Sequence, residues 1–519
     1  MTTPNFYITT PIYYVNASPH IGHIYTTTIA DVLARYHRLL GDNVHFLTGT
    51  DEHGKKVADA AREKNITPQA FVDAVSAEFQ AAFAEMKFTH NDFIRTTQPR
   101  HETLVQTYIK QLIDSGDVYL GEYEGWYDEG QEEYVTETNA RTQDYKSAIS
   151  GRPLTKVKEK NYFFRLSKYE DRLKTHIENN PQFIQPDARR NEVLGRIRDG
   201  LNDIAISRST EPWGVPMPGD AEHSIYVWID ALFNYLTAVE AENRSEFWPA
   251  NLHVVGKEIL WFHAVIWPAM LMALDKPIYH QLYAHSFWIA EGRKMSKSLG
   301  NFIDFPKLQT YANDFGLDAV RWFLTRYGPM AATDADFSHD AFIEAYNQDL
   351  ANTIGNSTSR VTNMLNRYLN GTIPGDQGEP DDTLQKAAVQ AVDQFRGGMQ
   401  TLKLADALAN GPIALVQEVD GYIERTAPFK LAKDPANLPQ VGGILANCAE
   451  ALRIASVMLH PVIPHQMTEL WNRFNLPYAS QLEAGETAFN AWTEWGGLKP
   501  GDTLSQGDPL YPRYNPPKA

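Results

Sequence analysis

The chain has 519 residues, too many for one core, and its 43% apolar and 12% aromatic content is that of ordinary folded material in roughly three or four units. A formal net charge of −17 excludes a general polyanion-binding surface, so any RNA contact must be local, through a restricted basic face and specific base contacts. The single cysteine, Cys448, excludes an intramolecular disulfide and a multi-cysteine zinc site, and no window approaches an unbroken apolar run of membrane-spanning length.

The N-terminus enters a strand directly, without a basic or Ser/Arg-rich leader, which points to a cytoplasmic protein that meets no membrane. Phe6–Thr10 is β-prone, Ser18-Pro19 turns the chain, and Ile21, Ile24, Ile29, Val32 and Leu33 recur at helical spacing in a helix from His20 to about Leu40. His20 and His23 therefore fall on the first turn of a helix that follows a strand. Free N–H groups and the positive end of the helix dipole suit a polyphosphate there, and Gly22 lets a flat ring or phosphate approach the backbone. The alternative reading of these four residues is two imidazoles that only cap a helix start. Gly41-Asp-Asn stops the helix and Val44–Thr48 makes the next strand. From residue 6 to about 115 such alternation implies a parallel sheet with ligands at the carboxyl ends of its strands. Asp51, in Thr48-Gly-Thr-Asp-Glu-His53-Gly, is the candidate for holding an ammonium group; the alternative is an N-cap for a helix over Gly54–Arg62.

Between 116 and 224 the text turns acidic, aromatic and proline-rich, as expected of an inserted α+β module. Parallel-sheet texture resumes at Ile225–Ile229 and Leu252–Gly256, then a buried-looking helix covers Lys257–Met272 and a last strand Gln281–Phe287. Ala290–Asn301 concentrates cations and hydroxyls in a loop, either a mobile clamp for polyphosphate or a solvated basic loop. Helical periodicity follows over Asn347–Asn370, Thr383–Leu408, Ala414–Thr426, Val441–Leu459 and Pro464–Phe474, as in a bundle. Cys448 reads as a small core residue, and the proline-rich tail from Pro500 as an extended surface segment.

His20-Ile-Gly-His23 and Lys294-Met-Ser-Lys-Ser298, each after a strand of one sheet, match the paired signatures of the class I aminoacyl-tRNA synthetases. The flanks Thr9–Asn16, Gly49–Gly54, Tyr226–Ala231, Val255–Glu258 with Phe262-His263, and Ala284-His285 resemble the methionyl-tRNA synthetases over essentially the whole chain. The resemblance implies an α/β fold: a Rossmann-like parallel-sheet nucleotide-binding domain split by an α+β insertion, followed by an α-helical bundle anticodon-binding domain. The expected divisions are a first catalytic half at 1–115, the insertion at 116–224, a second catalytic half at 225–287, the signature loop and linking helices at 288–345, the anticodon-binding bundle at 346–499 and the tail at 500–519.

The activity so implied is ATP-dependent ligation of L-methionine to tRNA(Met) through methionyl-adenylate, releasing pyrophosphate and AMP. A non-catalytic tRNA-binding paralogue, or a class I synthetase for another apolar amino acid, are the alternatives. By resemblance His20, Gly22, His23, Gly256, Glu258 and Lys297 contact ATP, with Lys294 joining His20, His23 and Lys297 as catalytic groups. Ile12, Tyr14, Trp228, Ala231, Leu232, Tyr235 and His285 line a methionine slot with Asp51 on the ammonium, and Asn356, Arg360 and Phe429 meet the anticodon. Phe429 stands where the family usually has tryptophan, so it offers a stacking face without an indole N–H. Mg²⁺ is expected with ATP, without a dedicated site. No structural zinc is expected either, because Gly125-Trp-Tyr127 is followed by Asp128 and Gln131 rather than cysteine ligands. A monomer is expected, since the chain lacks the further C-terminal domain that dimerises some relatives.

Overall fold

Short apolar runs alternating with amphipathic helices assemble into a parallel sheet in the computed structural model, which describes residues 3–16, 18–128, 133–135, 137–148, 151–209, 213–295 and 300–515. From one edge the strands are Asp92–Arg95, Asn43–Asp51, Asn5–Thr9, Leu252–Gly256, Leu282–His285 and Ile184–Gln185, with Tyr13–Tyr14 added beside the end of Asn43–Asp51. All of these pairings are parallel. Their side chains are covered on both faces, so Ile8, Phe46, Leu47, Val254 and Val255 are all fully buried. Connections from the central strand Asn5–Thr9 run to one side and those from Leu252–Gly256 to the other, which opens a crevice at the carboxyl ends between them.

The helix after Asn5–Thr9 spans Ile21–Leu40 and ends at Gly41, whose φ of 90° permits the left-handed cap. It packs Ile24, Tyr25, Ile29, Val32 and Leu33 into the core. Asp31 on the same helix is also buried: it accepts from Arg35 Nε, from Arg321 Nη2 and from the backbone and hydroxyl of Thr89, each at 2.7 Å. Burial would raise the Asp31 carboxyl, but Arg35 and Arg321 more than offset it and hold it well below the carboxylate range. Arg321 also donates to the carbonyls of Val462 and Pro461, so one ion pair ties the first helix to the C-terminal helices.

Several segments differ from expectation. Ile225–Ile229 has strand-like composition, yet the strand Asp220–Ile225 ends there in a small antiparallel sheet and the helix Val227–Leu232 begins. Val227, Ile229 and Asp230 are buried on this helix, an instance of tertiary packing overriding β propensity. Ile184–Gln185, expected inside the insertion, instead extends the central sheet beside Leu282–Tyr283. The remainder of the insertion is organised on the long antiparallel pair Val118–Asp128 and Thr155–Phe164.

In the C-terminal region the helix expected over Thr383–Leu408 breaks at Leu402, whose φ is 57°. Helix Thr383–Gln400 precedes the break, and a helical run from Leu404 to Thr426 follows it. That run absorbs Pro412 in a wide π turn over Ala409–Ile413, since proline has no N–H for the regular ladder. Helix Pro435–Leu459 is long and apolar enough on average to cross a membrane, though Glu450 and Arg453 interrupt it, and 89% of its most apolar window is buried inside the fold, where it serves as the bundle core. Cys448 lies on it, fully buried, where burial pushes the thiol up. The tail is extended as expected but not merely superficial: Leu504, Leu510 and Tyr511 are buried, and Pro512 accepts from Tyr346.

Candidate active site

The carboxyl ends of the central strands and the start of the first helix enclose a cavity of about 290 Å³. Ile12, Tyr14, His20, Gly22, His23 and Asp51 line it from the N-terminal half, and Trp228, Ala231, Leu232, Tyr235, Gly256, Glu258 and His285 from the second half. Pairing of Tyr14 with Asp51 in the sheet sets these two side by side, and Val15 N–H donates to the Asp51 carbonyl at 3.2 Å. Asp51 is the last residue of a strand, and the helix after it is capped by Gly54, so the N-cap alternative for Asp51 does not hold.

The first-helix start differs from the expectation of free backbone donors. Ile21 N–H donates to Ile303 O at 3.0 Å, Gly22 N–H to His20 Nδ1 at 3.1 Å, and His20 N–H to His23 Nδ1 at 3.3 Å. Both Nδ1 atoms are acceptors, which puts the ring proton of each neutral imidazole on Nε2. Burial, then the neighbouring His20, pushes His23 well below its ordinary value, and the two rings stack at 3.7 Å as neutral groups can. The helix start thus supplies ring N–H donors in place of main-chain ones.

Residues after the second signature motif meet this start directly. Phe305 N–H donates to Pro19 O at 3.1 Å, His20 bridges to Asp304, and the Phe302 ring packs edge-on to His20 at 5.3 Å. Lys294 lies exposed on a short strand, Arg293–Lys294, outside the cavity lining, with its carbonyl accepting from Asn301 at 3.3 Å. Lys297 lies outside the described residues.

At the carboxyl end of strand Leu252–Gly256, a Cβ on Gly256 would fall 2.3 Å from a Glu258 carboxylate oxygen, so only glycine lets Glu258 fold back over that position. On the apolar side Trp228 stacks on Phe262 at 4.6 Å. His263, whose role the sequence left open, bonds through Nε2 to the Tyr235 hydroxyl at 2.7 Å and through Nδ1 to Ile259 O at 2.9 Å. The carbonyl requires the proton on Nδ1, so Tyr235 donates its hydroxyl hydrogen to Nε2. Burial, opposed by the Ile259 carbonyl, lowers His263 to about 4. Tyr235→Phe would leave that buried Nε2 without its donor and is expected to cost about 1–3 kcal/mol, read as a lower apparent melting temperature of the ligand-free protein.

His285 lies in the cavity but apart from Tyr235's hydrogen bond. Its Nε2 is 2.7 Å from Thr26 Oγ1 on the first helix, its Nδ1 donates to Ser286 O at 2.8 Å, and its ring meets Tyr25 edge-on. Among the described residues His263, not His285, is the histidine bonded to Tyr235, and His285 belongs with the first helix. Thr26, Asn234 and Trp288 also line the cavity. Their spacing carries no motif; only the fold brings them here.

The three residues expected at the anticodon lie in the helical region. Asn356 and Arg360 are on helix Asn356–Leu369, where Arg360 is 3.6 Å from Asp420 and 3.8 Å from Glu424 of the neighbouring helix. Phe429, on the short helix Pro428–Leu431, is 40% exposed.

A sequence profile of the family described as tRNA synthetases class I (M) matches residues 6–143 and 136–362. The methionine–tRNA ligase of Bacillus subtilis (strain 168) is 42% identical over 533 aligned residues, covering 98% of this chain and 78% of that protein. That of Caldanaerobacter subterraneus subsp. tengcongensis is 42% identical over 517, covering 98% and 79%. The structure of Mycobacterium tuberculosis methionyl-tRNA synthetase in complex with methionyl-adenylate matches with a TM-score of 0.89 at 34% identity, over 98% of this chain and 100% of that one. Its apo form gives 0.83 at 32%, over 99% of each.

Proposed function

Because the chain belongs to the class I tRNA synthetases of the methionyl group, we propose that the cavity activates L-methionine with ATP and that the protein then transfers the methionyl group to tRNA(Met). The observation that carries this reading is the contact between the first motif and the segment that follows the second. Ile21 N–H donates to Ile303 O and Phe305 N–H to Pro19 O, beside a cavity lined by His20, Gly22 and His23 on one side and by apolar residues and Asp51 on the other. A linear thioether suits a wall of Trp228, Leu232 and Tyr235, with the ammonium at Asp51 and the carboxylate toward His20 and His23.

The chemistry needs alignment more than proton transfer. A carboxylate oxygen of methionine attacks the α-phosphorus; the bond from that phosphorus to the bridging oxygen breaks, and pyrophosphate leaves with the electron pair. His20 and His23 donate Nε2–H to phosphate oxygens, Glu258 accepts from the ribose, and Lys297, with Lys294 nearby, neutralises the departing pyrophosphate. In the second step the terminal adenosine hydroxyl of tRNA attacks the methionyl carbonyl and AMP leaves. His285 lines the thioether slot beside the first helix, and His263 joins it there as the partner of the Tyr235 hydroxyl. Mg²⁺ enters with the nucleotide, whose phosphates are its natural ligands; the described residues contain no group of three His, Cys, Asp or Glu side chains able to hold a metal. Asn356, Phe429 and the outer edge of Arg360 meet unstacked anticodon bases.

Methionine-dependent exchange of labelled pyrophosphate into ATP is the test, and no exchange, or exchange driven better by leucine or isoleucine, would overturn the reading. Lys297→Ala is expected to slow exchange about 10²-fold with methionine affinity nearly unchanged. A large loss of methionine binding in that variant would remove Lys297 from the phosphate role.

A further inference from the structure

The proposed ammonium carboxylate, Asp51, and the apolar wall formed by Trp228, Ala231 and Leu232 come from parts of the chain far apart in sequence. Behind the cavity they are joined by a buried cluster that does not itself line it. His53, two residues beyond Asp51, places Nδ1 2.7 Å from Asp230 Oδ2; Asp230 lies on helix Val227–Leu232 among the wall residues. His101, on helix Pro99–Asp114, places Nε2 2.9 Å from the other oxygen, Asp230 Oδ1, and Nδ1 2.8 Å from Thr237 Oγ1. Asp230 and His101 are fully buried and His53 is 3% exposed.

We propose that Asp230, His53 and His101 are positioning residues that set the spacing between the ammonium site and the apolar slot, and so select the side-chain length the enzyme accepts. The inference rests on the reading of the cavity as the methionine site. A carboxylate desolvated this fully is costly to bury, and an apolar filler of the same volume would serve stability as well. What an apolar filler does not supply is register. Two hydrogen bonds, donated by His53 and His101 to the two oxygens of one carboxylate, hold the helix against both the strand end and the helix Pro99–Asp114, so it cannot slide. The flanks of His53 are fixed independently: Trp213 Nε1 donates to Glu52 O at 2.6 Å, Gly54 N–H donates to Trp213 O at 2.9 Å, and Arg95 holds the Glu52 carboxylate at 2.6 and 3.0 Å. Any shift of Asp230 is therefore a shift of the slot relative to Asp51.

The charged and titratable groups facing His53 are Asp230 from its helix, Glu102 at 3.6 Å and His101 from helix Pro99–Asp114, and Asp51 from its own strand end. Burial alone would lower His53, but Asp230, then Glu102 and Asp51, raise it above its ordinary value. Burial would raise Asp230, and the two histidines lower it instead. A raised histidine contributes stability that is complete below its unfolded value and lost as pH rises through the folded one; a lowered carboxyl contributes above its unfolded value and loses it in acid. The His53–Asp230 pair is consequently charged throughout the range between about pH 6 and 8 and adds no pH dependence to the methionine KM of the unmodified protein there.

Asp230→Asn keeps the size and removes the charge. In pyrophosphate exchange it is expected to raise the methionine KM at least about tenfold with kcat within about threefold, and to narrow the preference for methionine over ethionine, which is one methylene longer. The ATP KM should not move. The variant's methionine KM should also acquire a pH dependence, improving toward acid as His53 regains its proton and its attraction to Glu102. His101→Gln, which leaves the His53–Asp230 pair in place, should show the same split to a smaller degree and serves if Asp230→Asn does not fold. Reduced stability with KM, selectivity and pH profile unchanged in the folded variants would overturn the proposal, as would a loss confined to kcat. Absence of exchange in the unmodified protein would instead overturn the site reading on which it rests.

Discussion

Replacing Asp51 by alanine is expected to lower kcat/KM for methionine-dependent pyrophosphate exchange by about 10²–10³, equivalent to about 3–4 kcal/mol. The carboxylate is 4% exposed, at the end of a strand, beside Tyr14 and facing a cavity whose remaining walls are chiefly apolar. In so dry a place the attraction between an ammonium and a lining carboxylate is poorly screened, and truncation strands the ligand's charge. The loss should fall mainly on the methionine KM, with the ATP KM changed little, because Glu258, His20 and His23 belong to the other end. Asp51→Asn should recover a small part by retaining one acceptor. An Asp51→Ala enzyme with normal methionine KM would show that the ammonium is held elsewhere.

Replacing Asp31 by asparagine is expected to destabilise the protein by about 3–5 kcal/mol, because it removes the carboxylate hydrogen-bonded to the fully buried Arg321 and leaves Asp318, which acts on it without a hydrogen bond, as its nearby opposite charge. Thermal unfolding monitored separately for the catalytic and helical regions should show both transitions lowered, since this pair joins the first helix to Pro461 and Val462. Asp31 is depressed in the fold, so its contribution is present above the unfolded carboxyl value and lost as pH falls below about 4 toward the folded value. The difference between Asp31→Asn and the unmodified protein should therefore be constant at neutral pH and shrink only in acid. Combining Asp31→Asn with Arg321→Met should restore part of the loss, as removing both partners relieves the stranded charge. Strict additivity of the two changes would mean that the pair is not the source of the coupling.

Part of the cavity lining was legible because its signals are local. His20, Gly22 and His23 follow a strand and open a helix, and Asp51 ends the next strand, each marked by periodicity and turn chemistry within a dozen residues, whereas Gly256 and Glu258 were marked only by resemblance to the family. The errors came where local text is ambiguous or silent. Ile225–Ile229 is equally suited to a buried helix and a strand, and the break expected between Leu408 and Ala414 is instead a π turn that carries the helix through Pro412. His263 and His285 sit in similar apolar surroundings in the sequence and both line the cavity, and only the fold shows their different partners, Tyr235 in one case and Thr26 in the other.

The sequence by itself determined the parallel sheet, the helix that starts at the two histidines, the helical character of the C-terminal region and the pair of motifs that identify the family. These follow from residues close together in the chain, where backbone preference and apolar spacing act directly. Tertiary structure alone decided that Ile303–Phe305 close on the start of that helix, that Tyr235 pairs with His263 while Thr26 pairs with His285, and that Asp230 is gripped by His53 and His101 behind the cavity. Each of these depends on the desolvation of polar groups brought from distant segments. No periodicity records which buried acceptor a buried donor will find.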